Sequence, residues 1–289
     1  MNFFCFKNWL MNKAINIVVV IVFLLFVIFI IFTASICSDF KGLNVAKKVN
    51  NYIMVSSKAL STKKICWGLK RSKNHEQPEL DKNAKEILDE FDGLSIGNKN
   101  SNKIYLTFDV GYDGGYMNQI LDTLKNNNVN ATFFITGQFV KTSPDIIQRI
   151  INDGHILGNH TVNHKSMPDC TEEVINKELL DLNKKVYENF DYEMKYMRPP
   201  KGEFSEANLA YVKKLGFTPV LWSFAYDDWD DNKQGKEEYA KKKILDNLHN
   251  GEIMLLHATS KDNANILDDI IKEIKNQNYQ FESLDNFER

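Results

Sequence analysis

Ionisable side chains stand directly after five of the predicted strands, and these are the residues whose types could do chemistry. They are Asp109, His160 with His164, Arg198, Asp227 with Asp228, and His257. Taken singly, an Asp after a strand is typical of a turn or a helix cap, and an isolated His is typically structural. Taken together, they indicate an active site, because such sites form where the carboxyl ends of parallel strands meet.

Two of these histidines have a spacing that suits a metal ion. The segment His160-Thr-Val-Asn-His164 puts two imidazoles four residues apart, on one face if the segment turns as a helix. Catalytic zinc normally has three protein ligands, so this pair alone does not define a metal site.

Alternating strands and helices must position these groups, and the alternation begins after Lys103. Strands separated by helices are typical of parallel β/α units. The segment is short for an eight-fold barrel, so the sequence predicts an α/β fold, a distorted (β/α) barrel of about seven strands. The predicted strands are Ile104–Phe108, Ala131–Ile135, His155–Leu157, Lys195–Met197, Phe217–Trp222, Ile253–Leu256 and Tyr279–Phe281. The predicted helices are Asn83–Phe91, Met117–Asn127, Pro144–Asn152, Thr171–Phe190, Ser205–Leu215, Lys236–Leu248 and Ala264–Lys275.

The N-terminal part of the chain has a different composition. From Ala14 to Phe32 every side chain except that of Asn16 is apolar, and at about 1.5 Å rise per residue such a helix nearly spans a bilayer core. Lys7 and Lys13 precede this run, so the positive-inside rule predicts a cytoplasmic N-terminus and an extracytoplasmic remainder. A cleaved signal peptide is the alternative, and the length of the run favours an uncleaved anchor.

These observations predict four segments along the chain. Residues 1–13 are a cytoplasmic tail, residues 14–36 a transmembrane anchor or signal, residues 37–102 a polar stalk and N-terminal arm, and residues 103–289 the catalytic domain. The predicted location is therefore the cell membrane, with a single transmembrane helix, the cytoplasmic membrane as a partner, and the catalytic domain outside the cytoplasm.

Composition narrows the possible partners. The 36 Lys and Arg residues are balanced by 38 Asp and Glu residues, for a net charge of -2, which argues against a nucleic-acid partner. Four cysteines are too few for a disulfide scaffold. Of these, Cys66 and Cys170 could pair outside the cell, but spacing cannot show that their Cα atoms approach, so isolated buried thiols are favoured.

Five short motifs occur in the order Thr107-Phe-Asp-Val-Gly111, His160-Thr-Val-Asn-His164, Arg198-Pro-Pro-Lys-Gly202, Asp228-Trp229 and Leu255-Leu-His257. In that order they resemble the motifs of the polysaccharide deacetylases, the carbohydrate esterases with a NodB-homology domain. Flanking segments look like those of the delta-lactam-biosynthetic de-N-acetylases of spore formers. These segments are Trp67-Gly-Leu-Lys70, Asn74-His-Glu-Gln-Pro78, Gly111-Tyr-Asp-Gly-Gly115 and His257-Ala-Thr-Ser-Lys-Asp-Asn263.

The resemblance implies an enzyme that acts on peptidoglycan glycan strands. It would hydrolyse the acetyl group from N-acetylmuramic acid whose peptide has been removed, and the freed amine would close onto the lactyl carboxyl as the muramic delta-lactam of spore cortex. Two alternatives stay open. One is de-N-acetylation of glucosamine-type sugars of the wall or of chitin. The other is an inactive glycan-binding relative, suggested by Val110, where the family usually places a metal-binding Asp.

The resemblance also implies roles for individual residues. Asp109 would be the general base that activates water, and His257 the general acid that protonates the departing amine. Arg198 would hold Asp109 ionised, since a nearby cation lowers a carboxylate pKa. Asp228 would orient either Arg198 or His257. Contacts with the sugar are implied for Trp229, Tyr112, Pro200 and Leu255.

A divalent, zinc-like metal is also implied, with His160 and His164 as its ligands. Val110 cannot donate a lone pair, so zinc would lack the third protein ligand that catalytic sites normally supply. The expectation is a weakly held metal or none.

Overall fold

Short strands alternate with longer helices along residues 59–289, the part of the chain that this computed structural model describes. The strands are β1 (Ile65–Cys66), β2 (Leu69–Lys70), β3 (Glu79–Leu80), β4 (Lys103–Val110), β5 (Thr132–Ile135), β6 (Ile156–Asn159), β7 (Tyr196–Met197), β8 (Glu203–Phe204), β9 (Thr218–Pro219), β10 (Glu252–His257) and β11 (Gln280–Phe281). The helices are α1 (Lys82–Glu90), α2 (Met117–Asn126), α3 (Gly137–Thr142), α4 (Pro144–Asn152), α5 (Glu172–Phe190), α6 (Glu206–Lys214), α7 (Glu237–Asp246) and α8 (Lys261–Asn276).

The central sheet has the strand order β10-β4-β5-β6-β7-β9, with β11 beside the first residues of β4. Its pairings are parallel throughout. Every residue of β4 after Lys103 is buried, as is typical of a parallel strand covered on both faces. The predicted α/β fold with parallel β/α units is confirmed.

The sheet forms a half-barrel, and β9 and β10 are not joined by continuous pairing. Isolated bridges occur at three places: Leu94 with Val220, Ile96 with Glu252, and Phe224 with Met254. Residues 94–96 therefore lie between the two edge strands. The predicted distorted barrel is present in this more open form.

Helices cover the sheet through apolar stripes. In α8, Ile266, Leu267, Ile270, Ile271 and Ile274 are buried at helical spacing and belong to the largest core cluster. That cluster also takes in Leu106, Phe108 and Val110 from one face of β4.

Ser205 and Ser143 each precede a helix, and of these two only Ser205 caps its helix. The side chain of Ser205 accepts a hydrogen bond from the backbone N–H of Asn208 and so caps α6. Ser143 precedes Pro144 at the start of α4 but makes no capping side-chain hydrogen bond. The short helix α3 is absent from the prediction, because six residues are too few to show a helical period.

The N-terminal arm is not a separate stalk from Leu60 onward. One compact unit covers Leu60–Arg289, on both sides of the predicted boundary at residues 102/103. Strand β1 pairs antiparallel with β8, and the indole N–H of Trp67 donates to the carbonyl of Trp222 at 2.9 Å. These contacts bury apolar side chains of the arm, including Leu88, against the catalytic domain. The polar composition of the arm did not indicate this packing.

The predicted membrane location is corrected. Within residues 59–289, no helix is long and apolar enough to cross a membrane. The predicted tail and anchor, residues 1–13 and 14–36, lie outside the described residues. The predicted membrane location and the membrane as a partner are therefore not supported by the described residues.

Both cysteines of the described chain are free thiols. Cys66 is exposed and Cys170 is partly buried, and no disulfide joins them. The two thiols are separate as predicted, but Cys66 is exposed rather than buried.

Candidate active site

The predicted catalytic groups meet in one cleft at the carboxyl ends of the parallel strands. The cleft has a volume of about 1030 Å³ and is lined by Asp109, His160, His164 and His257 among others. Asp109 and His257 are partners in the register of the neighbouring strands β4 and β10. The sequence separates these two residues widely, and strand pairing places them side by side.

Asp109 forms an ion pair with a fully buried arginine. Nη1 of Arg198 donates to Oδ1 of Asp109 at 2.7 Å, and the side chain of Arg198 is 0% exposed. The remaining donors of Arg198 reach Thr107 Oγ1 at 2.9 Å and the carbonyl of Val220 at 3.1 Å. The guanidinium carbon lies 4.1 Å from the ring centroid of Phe134, so the buried charge is compensated on several sides.

This surrounding keeps Asp109 ionised. Burial raises the pKa of its carboxyl, but the positive charge of Arg198, with smaller contributions from His160 and His257, outweighs burial. The net pKa of Asp109 lies below its ordinary value of 3.8. The predicted relation between Arg198 and Asp109 fits this geometry, and Asp109 carries its charge at neutral pH.

Asp228 orients His257 rather than Arg198. Oδ1 of Asp228 accepts from Nδ1 of His257 at 2.7 Å, and its Oδ2 accepts from the backbone N–H of the same histidine at 2.7 Å. The amide of Asn263 also donates to Asp228. The sequence left open whether Asp228 orients Arg198 or His257. The structure favours His257, because Arg198 is paired with Asp109 and His257 is paired with Asp228.

The pKa of His257 is raised above its ordinary value of 6.5. Burial lowers that pKa, but the charge and hydrogen bond of Asp228 raise it by more. With Nδ1 occupied by Asp228, Nε2 is the nitrogen left to face the cleft. A protonated His257 can therefore donate a proton from Nε2.

His160 and His164 lie together beside Asp109. Their ring centroids are 4.7 Å apart, and Nε2 of His160 is 3.4 Å from Oδ2 of Asp109. Nδ1 of His160 faces the carbonyl of Arg198 at 2.9 Å. A carbonyl only accepts, so Nδ1 carries the proton and Nε2 holds a lone pair. Burial lowers the pKa of His160 to about 4 and also lowers that of His164, so both rings are neutral, as metal ligation requires.

The residues nevertheless do not complete a three-ligand metal site. Val110 is fully buried in the core cluster on the face of β4 that also carries Phe108, opposite Asp109. In the described part of the chain, no group of three His, Cys, Asp or Glu side chains is arranged to hold a metal ion. Two imidazoles, those of His160 and His164, are therefore the metal donors that the described residues supply here.

The predicted sugar contacts divide into two groups. Tyr112 and Trp229 line the cleft with exposed fractions of 51% and 61%, and Leu255 lines it from its floor. Such exposed aromatic rings are suited to stack on a sugar face. Pro200 is buried and does not line the cleft; the adjacent Lys201 does.

Several residues of the site were missed by the sequence prediction. Thr107 and Asn263 hold Arg198 and Asp228, respectively. Both lie within segments that resemble the family. Thr107 begins the first motif, and Asn263 ends the segment that starts at His257. Three lysines also line the cleft, namely Lys141, Lys185 and Lys201. For Lys141 and Lys185 the sequence offers no signal, because they are ordinary charged positions on helices.

Comparisons with known proteins agree with this geometry. The polysaccharide deacetylase family profile matches residues 96–220. The peptidoglycan-N-acetylmuramic acid deacetylase PdaA of Bacillus subtilis is 42% identical over 231 residues, which cover 80% of this chain and 88% of that protein. A peptidoglycan-N-acetylglucosamine deacetylase of Bacillus cereus is 34% identical over 185 residues, 63% of this chain and 86% of that protein.

Solved structures show the same relationship. Bacillus subtilis PdaA, a family 4 carbohydrate esterase, superposes with a TM-score of 0.77 at 41% identity, covering 79% of this chain and 98% of that one. A family 4 carbohydrate esterase from Bacillus anthracis superposes with a TM-score of 0.68 at 36% identity, covering 80% and 98%. The chain therefore belongs to the polysaccharide deacetylase family, and it is a hydrolase that acts on carbon–nitrogen bonds other than peptide bonds.

Proposed function

We propose that this hydrolase removes the acetyl group from N-acetylmuramic acid in peptidoglycan strands whose peptides have been cut off. The freed amine would then close onto the lactyl carboxyl as the muramic delta-lactam of spore cortex. One observation carries the proposal: an ionised Asp109 and a protonatable His257 are side by side in one cleft. The similarity to a protein named as an N-acetylmuramic acid deacetylase supports the choice of sugar.

The first half of the proposed reaction forms a carbon–oxygen bond. Asp109 accepts a proton from a water molecule, and the water oxygen attacks the acetyl carbonyl carbon to give a tetrahedral intermediate. Arg198 is a positioning residue, because its ion pair holds Oδ1 of Asp109 in place and keeps the carboxylate charged. The second oxygen, Oδ2, is the one left to take the proton.

The second half breaks the carbon–nitrogen bond. The amine is a poor leaving group until it is protonated, and Nε2 of His257 supplies that proton. Acetate and the free amine are the products. Asp228 holds the opposite nitrogen of His257 and stabilises the imidazolium before transfer.

De-N-acetylation of glucosamine-type sugars is the second candidate, since the Bacillus cereus relative is named for that sugar. The inactive glycan-binding alternative fits poorly, because a binding module has no use for this acid–base pair.

The test measures acetate released from three substrates: peptide-free glycan strands, intact peptidoglycan, and chitin oligomers. We expect release from the peptide-free strands, together with loss of one water from the product by mass spectrometry as the lactam closes. The Asp109→Asn variant is the matched control and should release acetate about 10²–10⁴-fold more slowly. Release from chitin oligomers alone would contradict the proposed sugar.

A further inference from the structure

The cleft carries an excess of positive charge in a chain whose net charge is -2. Lys141, Lys185 and Lys201 line it, and within the described residues Asp109 is the one acidic side chain among its lining. The charge of Asp109 is already matched by Arg198. The three ammonium groups therefore give the cleft a positive field, which favours an anionic ligand.

These lysines are not held by carboxylates of the described chain. By contrast, two nearby lysines do pair with carboxylates: Lys165 pairs with Glu178, and Lys184 pairs with Glu188. Among residues 59–289, no such pair is formed by any of the three cleft lysines. The charge of Lys201 makes a minor contribution to the lowered pKa values of Asp169 and Glu203. Both of these carboxylates form their ion pairs with Lys64 and not with Lys201.

Lys201 is the cleft lysine that lies on a constrained loop, three residues after Arg198. It follows Arg198-Pro-Pro and adopts a left-handed backbone with φ of 60°, which is uncommon for a residue with a side chain and is associated with functional sites. Gly202 follows, also at positive φ, and an added Cβ there would lie 2.8 Å from the ring of Trp222. The close packing at Gly202 leaves the loop little freedom to move Lys201.

The position of Lys201 also couples it to the catalytic centre. It lines the same cleft as Asp109, His164 and His257, and it lies three residues after Arg198, whose Nη1 donates to Asp109 at 2.7 Å. The ammonium group is therefore close enough to the histidines to act on a sugar whose acetyl group lies at Asp109.

We infer that Lys201 binds the lactyl carboxylate of the muramic acid residue and so selects this sugar over uncharged N-acetylglucosamine. The inference rests on the proposed function and adds a residue that distinguishes the sugar. The lactyl carboxylate is the anionic group that muramic acid has and N-acetylglucosamine lacks, and a charge-assisted hydrogen bond to an ammonium is the interaction that recognises it. Lys141 and Lys185 add to the field that attracts the strand.

The test compares two forms of one substrate. Peptide-free glycan strands carry free lactyl carboxylates, and the same strands treated with methylamine and a coupling reagent carry neutral methylamides. Lys201→Asn removes the charge, and Asn tolerates a left-handed backbone, so strain is not introduced. We expect kcat/KM to fall about tenfold on the carboxylate strands and to change less than about twofold on the methylamide strands.

Two further variants serve as controls. Lys201→Arg keeps the charge and should retain most of the preference for the carboxylate strands. Lys177→Asn makes the same substitution at an exposed position of α5 outside the cleft, and it should leave both kcat/KM values unchanged.

The outcomes separate the inference from the proposed function. Equal losses on both substrates in Lys201→Asn would overturn the role of Lys201. If that variant does not fold, equal kcat/KM values of the unaltered enzyme on both substrates would overturn it instead. Acetate release from chitin oligomers with none from either muramic substrate would contradict the proposed function itself.

Discussion

The two ends of strand β10 each have a histidine beside a carboxylate. At the carboxyl end, Nδ1 of His257 lies 2.7 Å from Oδ1 of Asp228, and the histidine side chain is 24% exposed to the cleft. At the amino end, Nδ1 of His249 lies 3.3 Å from Oε2 of Glu252, and the histidine side chain is 2% exposed. Each pair joins a histidine to a carboxylate, but the pKa of the histidine is raised at the carboxyl end and lowered at the amino end.

At the carboxyl end the pair is charged, because the pKa of His257 is raised by Asp228 in spite of burial. At the amino end the pair is neutral: burial lowers the pKa of His249 to about 4 and raises that of Glu252 well above 4.5. Oε1 of Glu252 has no hydrogen-bond partner among the described residues.

The difference lies in the surrounding donors. Asp228 accepts from two N–H groups of His257 and from Asn263, so its charge is satisfied. Glu252 accepts the backbone N–H of His249, while Nε2 of that histidine is bound to Ser223. A histidine–carboxylate pair becomes a catalytic device only where further donors offset the cost of burying charge.

The largest effect is expected from Asp109→Asn. Turnover should fall by about 10²–10⁴-fold, because the general base is lost. The free energy of unfolding should also fall by about 3 kcal/mol, since the buried guanidinium of Arg198 loses its counter-charge. Acetate release and chemical denaturation measure the two effects. Asp113→Asn is the control: this exposed carboxylate accepts the backbone N–H of Gly115 and does not line the cleft, so both quantities should stay normal.

The comparison of the two pairs is tested directly by His257→Ala and His249→Ala. The first should lower turnover by about 10²–10⁴-fold, because the ring faces the cleft. It should also lower the free energy of unfolding, because the buried Asp228 loses its partner. The second should lower the free energy of unfolding by about 1–3 kcal/mol, since Ser223 loses its buried partner, and should leave turnover of the folded protein unchanged. A large turnover defect in folded His249→Ala would break the distinction.

A smaller effect is expected on the pH profile of Asp228→Asn. The unaltered enzyme should keep kcat/KM up to a basic limb above pH 6.5, because the pKa of His257 is raised from that value. Loss of the Asp228 charge should lower the pKa of His257 and move the limb down by about one unit. Profiles from about pH 4 to about pH 9 measure the shift. An unmoved basic limb would assign that limb to another group.

The amino-end pair predicts a pH dependence of stability. The folded-state pKa of Glu252 lies well above 4.5, so above pH 4.5 the folded protein keeps a proton that the unfolded chain releases. The stability of the unaltered protein therefore falls as the pH rises toward the folded-state pKa. Glu252→Gln cannot ionise. Its stability relative to the unaltered protein should therefore improve by about 1 kcal/mol per pH unit above 4.5, up to the folded pKa. A pH-independent difference in denaturation would contradict a neutral Glu252.

The smallest effect concerns metal retention. Two imidazoles leave tetrahedral zinc one protein ligand short, so we expect zinc to be lost from the purified protein on dialysis against a chelator. Elemental analysis before and after dialysis, with zinc titration afterwards, is the measurement. Stoichiometric zinc that survives extended chelation would show that another side chain completes the site.

The sequence determined the parallel β/α order and indicated the candidate catalytic groups. Helix α4 begins and ends where Pro144 and its apolar spacing predict, and Asp109 and His257 follow buried strands that pair with each other. These features are local: caps, periodicity and short motifs act within a few residues, so one chain reveals them.

Only the tertiary structure decided which carboxylate serves which cation, and which histidine is charged. Asp228 and His257 are 29 residues apart, and Glu252 and His249 are 3 apart, yet the distant pair is the charged one. Packing of the arm through Trp67 and the position of Lys201 were likewise decided by tertiary contacts. The physical reason is that pKa values, burial and cleft lining depend on groups brought together across the sheet, and sequence distance does not specify them.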